Sequence, residues 1–355
     1  MNSRPTPRPR IAISCGDPNG IGLEVTFKAL AELQSGSDPE FDVLLFAPES
    51  AIHTHLETLS IKRPVFDLVS TPGGQNFQTQ FGVTDAAAGK LSMVAFEQAV
   101  DCCLNLRADA VITAPISKES IELAGYNKPG HTEYLAETTC AESHAMMMVD
   151  NTFRIALVTT HIPILKVAAQ ITAPLVQEKL GVLVASLRQD FNVKAPRIAV
   201  LGLNPHAGEG GMLGVEEKEI IIPAICAARD ADAREAAARD ADAREPGARR
   251  VAPEDGSESL TIDGPFPADA FFGMRRQNNY DGILAMYHDQ GLIPFKALAF
   301  ETGVNYTAGL PIVRTSPDHG TAFDIAGQNK ASSTSMAAAI SLGCEIVHNR
   351  NVAHR

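Results

Sequence analysis

The sequence predicts an α/β fold with a largely parallel sheet, and three observations support that prediction. Short apolar, β-branched segments alternate with helical patterns along the whole chain. A helix is indicated over Ala87–Leu106, where apolar side chains recur at helical spacing. The length of 355 residues and a hydrophobic content of 45% are enough for two domains of ordinary size.

Seven segments have the composition and length of strands. In chain order they are Arg10–Ser14, Asp42–Phe46, Ala110–Thr113, Arg154–Thr160, Arg197–Leu203, Gly282–Met286 and Ile312–Arg314. Helical patterns separate them, as expected where each strand is followed by a crossover helix.

Composition excludes several classes of protein. The net charge is −12 and no strong basic block occurs, which argues against a nucleic-acid-binding protein. The amino-terminal segment MNSRPTPRPR lacks an apolar core, so it does not read as a signal peptide. No apolar run of about 18 residues is present, so we expect no membrane span. None of the 6 cysteines forms a CxxC pair, and we expect a reduced, cytoplasmic protein.

A direct tandem duplication interrupts the α/β pattern. Residues 227–236 read AARDADAREA, and residues 237–246 repeat them with one substitution. Alanine with interspersed charge favours an exposed helix or disorder. We interpret 227–259 as a surface insertion without chemistry, and a solvated face is favoured over a partner-binding role.

Three histidines follow predicted strands. His161, His206 and His288 each come just after an apolar run, beside turns rich in Gly or Pro. The carboxyl ends of parallel strands hold the functional loops of α/β proteins, so three imidazoles there can converge on one divalent metal. The alternative for each is an ordinary hydrogen-bonded loop histidine.

Two further motifs have polar residues in tight turns. GDPNGIGLE at 16–24 reads as a strand-to-helix turn, but its glycine spacing is not GxGxxG. The sequence favours neither of two interpretations of this motif, a purely structural turn or a ligand-binding loop. ITAPISKES at 112–120 precedes His131 and Thr132, which offer an imidazole and a hydroxyl at a helix start, where anions bind. An N-cap role for Thr132 is the alternative.

The segment 287–331 is the densest in functional side chains. Lys296, Asn305 and Arg314 lie within a short span, and two cations with an amide suit a phosphate or carboxylate. The loop HGTAFDIAG at 319–327 is bounded by glycine and contains Asp324. It is suited to a polar ligand such as an adenosine moiety.

Together these motifs resemble the 4-hydroxythreonine-4-phosphate dehydrogenase (PdxA) family of vitamin B6 biosynthesis. The resemblance rests on GDPNGIGLEV, TAPISKE, GHTEYLA, TTHIP, GLNPHAGEGG, GPFPADAFF, AMYHDQGLIPFK and GVNYTAGLPIVRTSPDHGTAFDIAG. It implies two α/β/α domains with a cleft between them, similar to isocitrate and isopropylmalate dehydrogenases rather than to the classical Rossmann fold. We assign 1–125 with 305–355 to the first domain and 126–304 to the second.

The resemblance also implies roles for individual residues. The metal ligands implied are His161, His206 and His288, brought together at a homodimer interface. The substrate-binding residues implied are His131, Thr132, Lys296, Asn305 and Arg314. The catalytic residues implied are Asp269, Asp289 and Lys296. The cofactor-binding residues implied are His319, Gly320, Asp324 and Gly327 in the loop that follows Arg314.

The implied reaction is oxidation of 4-phosphooxy-L-threonine by NAD or NADP, followed by decarboxylation to 3-amino-2-oxopropyl phosphate. Zn²⁺, Co²⁺ or Mg²⁺ would serve as the metal. The proton acceptor stays open between Asp289, Lys296 and a metal hydroxide. Alternatives are a related dehydrogenase of a 4-phosphorylated sugar acid or a cyclic dihydrodiol carboxylate, a metal-dependent hydrolase or acyltransferase, and a non-catalytic metal-binding protein.

Overall fold

A computed structural model describes residues 8–35, 40–126, 131–151, 153–242 and 259–353. The chain divides into two compact units, the first formed by Met1–Glu142 with Ala299–Arg355 and the second by Ser143–Leu298. The sequence placed the two domain boundaries at 125/126 and 304/305. In the structure, the helix that begins at His131 belongs to the first unit.

Helices and strands alternate over most of the described chain. The strands are β1 (Arg10–Ser14), β2 (Asp42–Ala47), β3 (Asp67–Ser70), β4 (Ala110–Thr113), β5 (Ala145–Val149), β6 (Arg154–Leu157), β7 (Arg197–Leu201), β8 (Thr261–Phe266), β9 (Gly282–Ala285), β10 (Val304–Ala308) and β11 (Val313–Pro317). The α-helices are α1 (Gly22–Leu33), α2 (Glu49–Leu59), α3 (Ala86–Leu104), α4 (Lys118–Leu123), α5 (His131–Thr138), α6 (Ile164–Gln170), α7 (Ala173–Gln189), α8 (Ile222–Asp242), α9 (Ala268–Gly273), α10 (His288–Ala299) and α11 (Thr334–Ala353).

In the first unit the strands lie in the order β3-β2-β1-β4-β11-β10. All neighbouring pairs are parallel except β10 with β11. The central strands β1 and β4 are apolar and almost wholly buried, as expected for strands covered on both faces. Helix α3 begins where the Asp85 carboxylate accepts a hydrogen bond from Ala88 N, and its Gly89 passes close to the backbone of Ser120.

In the second unit the order is β5-β6-β9-β7-β8. The pair β5–β6 is antiparallel, and the other neighbouring pairs are parallel. The carboxyl ends of β6, β9 and β7 therefore lie side by side. Helix α7 packs on this sheet, and the Arg188 guanidinium joins it to α8 through two hydrogen bonds of 2.5 and 3.1 Å to Asp232.

The fold class predicted from the sequence is confirmed, with one correction. All seven predicted strand regions contain a strand, but β3, β5, β8 and β10 were not predicted. Two of these, β5 and β10, belong to the antiparallel pairs, and the other strand pairs described above are parallel, as the predicted largely parallel sheet requires.

The tandem duplication begins inside helix α8. The part of the predicted insertion 227–259 that α8 contains is helical, and most of its described side chains are exposed. Residues 243–258 lie outside the described part of the chain. No α-helix among the described residues is long and apolar enough to span a membrane.

Candidate active site

The three predicted metal ligands lie at the same edge of the second unit's sheet. His161 follows β6, His206 follows β7, and His288 is the first residue of α10, just after β9. The strand order makes β9 the neighbour of both β6 and β7. Because all three strands are parallel, the loops that carry the histidines emerge on one side.

Two of these histidines are close together. The ring centroids of His161 and His288 are 5.7 Å apart, and both rings line a cavity of about 210 Å³. Two imidazoles bound to one metal at about 2 Å place their centroids roughly 5 Å apart in tetrahedral geometry. The Asp289 carboxylate lies 2.8 Å from His288 Nδ1, which leaves Nε2 available for a ligand. This pair therefore fits a divalent cation.

His206 lies in an unusual backbone turn. Residues 206–210 all have left-handed φ and ψ angles, within the segment Pro205–Gly211. Within the described part of this single chain, no group of three or more His, Cys, Asp or Glu side chains is spaced to hold a metal. The role of His206 as third ligand stays a prediction.

The acidic and basic side chains predicted to be catalytic lie on two helices of the second unit. Asp269 is exposed in the first turn of α9. Asp289 and Lys296 both belong to α10, and the Lys296 side chain is half-buried about two turns after His288. Their catalytic roles are not tested by these positions alone.

In the first unit, a buried arginine forms the centre of a polar cluster. Arg314, on β11, is 3% exposed. Its Nε and Nη2 donate to Thr113 Oγ1 at 3.2 and 2.8 Å, and its Nη1 donates to Thr307 Oγ1 at 3.3 Å. Its Nη2 also lies 3.3 Å from His131 Nδ1. The side chains come from β4, β10, β11 and α5, and they hold the guanidinium in one place.

The His131 ring is neutral and oriented. Burial lowers the pKa of His131 well below 6.5, and the positive charge of Arg314 lowers it further. An arginine can only donate hydrogen bonds, so Nδ1 of the neutral ring accepts and Nε2 carries the hydrogen. That Nε2 atom is buried and has no hydrogen-bond partner among the described residues. It is a donor available to a bound anion.

Asn305 and Thr132 complete the predicted substrate set. Asn305 lies on β10 opposite Ser316 of β11, and its buried Oδ1 has no hydrogen-bond partner among the described residues. Thr132 belongs to α5, but its side chain lies outside the described part of the structure.

The predicted cofactor loop, residues 319–327, is folded against the first unit. Asp324 is exposed, while His319 Nδ1 lies 3.1 Å from Gly320 O. Gly327 has a φ of +75°, and a Cβ there would lie 2.7 Å from the Phe81 ring. Glycine is therefore required at the end of this loop.

The turn GDPNG at 16–20 holds two neighbouring loops. Asn19 Nδ2 donates to Val83 O at 2.9 Å, and its Oδ1 accepts from Gln80 N at 2.8 Å. Ile21 N, just after the turn, donates to Thr321 O of the cofactor loop at 3.0 Å. These contacts give the turn a structural role in holding both loops.

Sequence reasoning missed the two threonines that orient Arg314. Thr113 lies in the quoted motif TAPISKE, but Arg314 is 201 residues away along the chain. The polar Thr113 at the end of an otherwise apolar strand was the available signal.

Parallel strands with ionisable side chains at their carboxyl ends, in two α/β units, are the arrangement in which α/β enzymes hold their active sites. The family is shown by comparison with known proteins. The chain belongs to the pyridoxal phosphate biosynthetic protein PdxA family, whose model matches residues 24–343.

Individual relatives agree with this assignment. The chain is 41% identical over 360 residues to a 4-hydroxythreonine-4-phosphate dehydrogenase of Bacteroides thetaiotaomicron, covering 96% of this chain and 89% of that protein. The crystal structure of a 4-hydroxythreonine-4-phosphate dehydrogenase from Klebsiella pneumoniae is 34% identical, with a TM-score of 0.76 and coverage of 97% and 99%. A terephthalate 1,2-cis-dihydrodiol dehydrogenase from Burkholderia xenovorans is 27% identical, with a TM-score of 0.61 and coverage of 95% and 97%. The predicted family resemblance is confirmed.

Proposed function

We propose that this chain is an NAD- or NADP-dependent 4-hydroxythreonine-4-phosphate dehydrogenase. The C3 hydroxyl of the substrate loses its proton, and C3 transfers a hydride to the nicotinamide. The β-keto acid formed then loses its carboxylate as CO2, and protonation of the remaining carbon gives 3-amino-2-oxopropyl phosphate. The observation that carries this proposal is the buried Arg314–His131 cluster in a chain similar to dehydrogenases of a phosphorylated substrate.

The substrate phosphate is bound by the cluster around Arg314. The Arg314 guanidinium supplies a buried positive charge, and the His131 Nε2–H that it orients supplies the hydrogen-bond donor. Asn305, on β10 of the same unit, contributes an amide, and Lys296 of the second unit is kept as a predicted substrate-binding residue. Because His131 stays neutral, its ring does not repel the Arg314 cation.

A divalent metal, Zn²⁺, Co²⁺ or Mg²⁺, would be held by His161, His206 and His288. Bound there, it supplies Lewis acidity for negative charge that develops on oxygen during oxidation and decarboxylation. Asp289 orients the His288 ring through Nδ1, and Asp269 lies on the neighbouring helix α9. We assign proton transfer to Asp289 or Lys296. The dinucleotide would lie against His319, Gly320, Asp324 and Gly327.

We further propose that the enzyme is a homodimer in which the second subunit completes the metal site. Large apolar side chains near the histidine loops are exposed in the single chain: Ile164 (72%), Leu165 (91%), Met212 (82%) and Ile293 (68%). Exposed apolar surface of this kind marks protein interfaces. We propose no nucleic-acid or membrane partner.

The metal site is tested with His206→Ala, assayed for bound metal and for NAD(P) reduction with metal added back. We expect loss of metal and of turnover. His53→Ala is the matched control, since His53 is an exposed histidine on α2 of the first unit. Unchanged metal content and turnover in His206→Ala would refute the three-histidine site.

The phosphate site is tested with Arg314→Ala. We expect a large rise in KM for the phosphorylated substrate, because a buried charged donor is lost, and little change in KM for NAD(P). An equal rise for both ligands would count against the assignment.

A second candidate is oxidation of a cyclic dihydrodiol carboxylate, favoured by the 27% identity to a dihydrodiol dehydrogenase. A 4-phosphorylated sugar acid is the third substrate to include. NAD(P) reduction by the metal-loaded protein with these three substrates decides among them. Activity with the unphosphorylated dihydrodiol alone would replace our proposal.

A further inference from the structure

Hydrogen bonds link the ends of the three strands that precede the histidines. Thr159 Oγ1, two residues before His161, donates to Met286 O at 2.8 Å. Met286 itself lies two residues before His288. Its N–H donates to Gln290 Oε1 at 2.7 Å, so both polar groups of this one residue take part.

Gln290 extends the link to the third strand. Its Nε2 donates to Gly202 O at 2.6 Å, just after β7 and four residues before His206. One side-chain amide thus joins the end of β9 to the end of β7. A bond to Met286 alone would be an ordinary helix-start contact of α10, but the second bond crosses between strands.

A buried carboxylate holds the loop of His206 itself. Glu217 is 3% exposed, and its Oε1 accepts from Asn204 N at 2.7 Å while its Oε2 accepts from Asn204 Nδ2 at 3.0 Å. Asn204 directly precedes the segment Pro205–Gly211 that contains the left-handed turn. Non-glycine residues rarely adopt consecutive left-handed conformations, so this turn requires external contacts to persist.

Two glycines near His206, Gly202 and Gly208, are packed against the same carboxylate. A Cβ on Gly208 would lie 2.6 Å from Glu217 Oε2, and one on Gly202 would lie 3.1 Å from Glu217 Oε1. Gly208 of the turn therefore lies directly against the Glu217 side chain, so a change at Glu217 alters the contacts of the turn.

We propose that Gln290 and Glu217 are positioning residues that set where His206 stands relative to His288. The inference rests on the proposed metal site. The chemistry of each residue is specific: position 290 needs one donor and one acceptor, which an amide has, and position 217 needs two acceptors, which a carboxylate has.

Two substitutions that preserve the shape of the side chain test the proposal. Gln290→Glu removes the donor to Gly202 O, and Glu217→Gln replaces an acceptor that faces Asn204 with a donor. The matched controls are Gln177→Glu on α7 and Glu219→Gln, an exposed neighbour of Glu217. Co²⁺ affinity is measured by equilibrium dialysis, its coordination by the visible absorption spectrum, and folding by thermal unfolding of the metal-free proteins.

We expect each exchange to weaken Co²⁺ binding about 10–100-fold and to change the spectrum, as loss of residues that orient metal ligands does. The metal-free proteins should melt close to their controls. Should Glu217→Gln not fold, Gln290→Glu decides alone. If the folded variants bind Co²⁺ with the affinity and spectrum of the native protein, this proposal is overturned and the metal site is left intact. Failure of the native protein to bind Co²⁺ would refute the metal site and this proposal with it.

Discussion

Replacing Thr113 with valine should loosen the buried Arg314 guanidinium. The side chains have similar shape, and the two residues are 1% and 3% exposed, so water cannot replace the lost hydroxyl. Two N–H groups of Arg314 lose an acceptor, at 2.8 and 3.2 Å. Hydrogen bonds to a charged group contribute about 1.5–3 kcal/mol, and the longer bond is the weaker, so we expect a loss of about 2–3 kcal/mol in the free energy of unfolding.

The assay combines urea unfolding with steady-state kinetics. The free energies of unfolding are compared on the condition that the m value is unchanged. KM for the phosphorylated substrate should rise about tenfold or more, since a loss of about 1.4 kcal/mol in binding free energy corresponds to a factor of ten. Thr315→Val is the matched control: its hydroxyl is equally buried but donates to Ala339 O, so stability falls without an effect specific to substrate. A loss below about 0.5 kcal/mol with unchanged KM would refute the reasoning.

Two further predictions concern the first unit. Burial lowers the pKa of His55 from 6.5 to about 4. The unfolded chain therefore binds the proton first, and stability falls as pH drops below 6.5. From pH 7 to pH 5 the free energy of unfolding, measured with urea, should fall by about 2 kcal/mol more in the native protein than in His55→Gln. An equal fall in the two proteins would contradict this. Gly327→Ala should lower the melting temperature, because a Cβ meets the Phe81 ring at φ +75°, whereas Gly320→Ala, with open space around its Cβ, should not. Equal melting temperatures for these two variants would show that the loop adapts.

Local patterns were sufficient for much of the fold. The apolar runs of β1 and β4 were predicted to the residue, because a strand buried on both faces reads as a continuous apolar run. The strand β10, with sequence VNYTA, was missed because its polar residues interrupt the apolar pattern, and Thr307 among them is buried against Arg314 rather than exposed to solvent. The antiparallel pairs β5–β6 and β10–β11 each join strands that are consecutive in the chain, and they were missed because β5 and β10 were not predicted as strands.

Motif spacing and strand periodicity are local properties, and they were enough to predict the family, the α/β class and the strand ends that carry His161, His206 and His288. The folded structure was needed to show which strands are neighbours, and so which histidines share an edge. It also placed Thr113 on Arg314 and Gln290 between two strand ends, because these contacts join residues that are 201 and 88 positions apart. Contacts across such separations are set by the packing of whole elements.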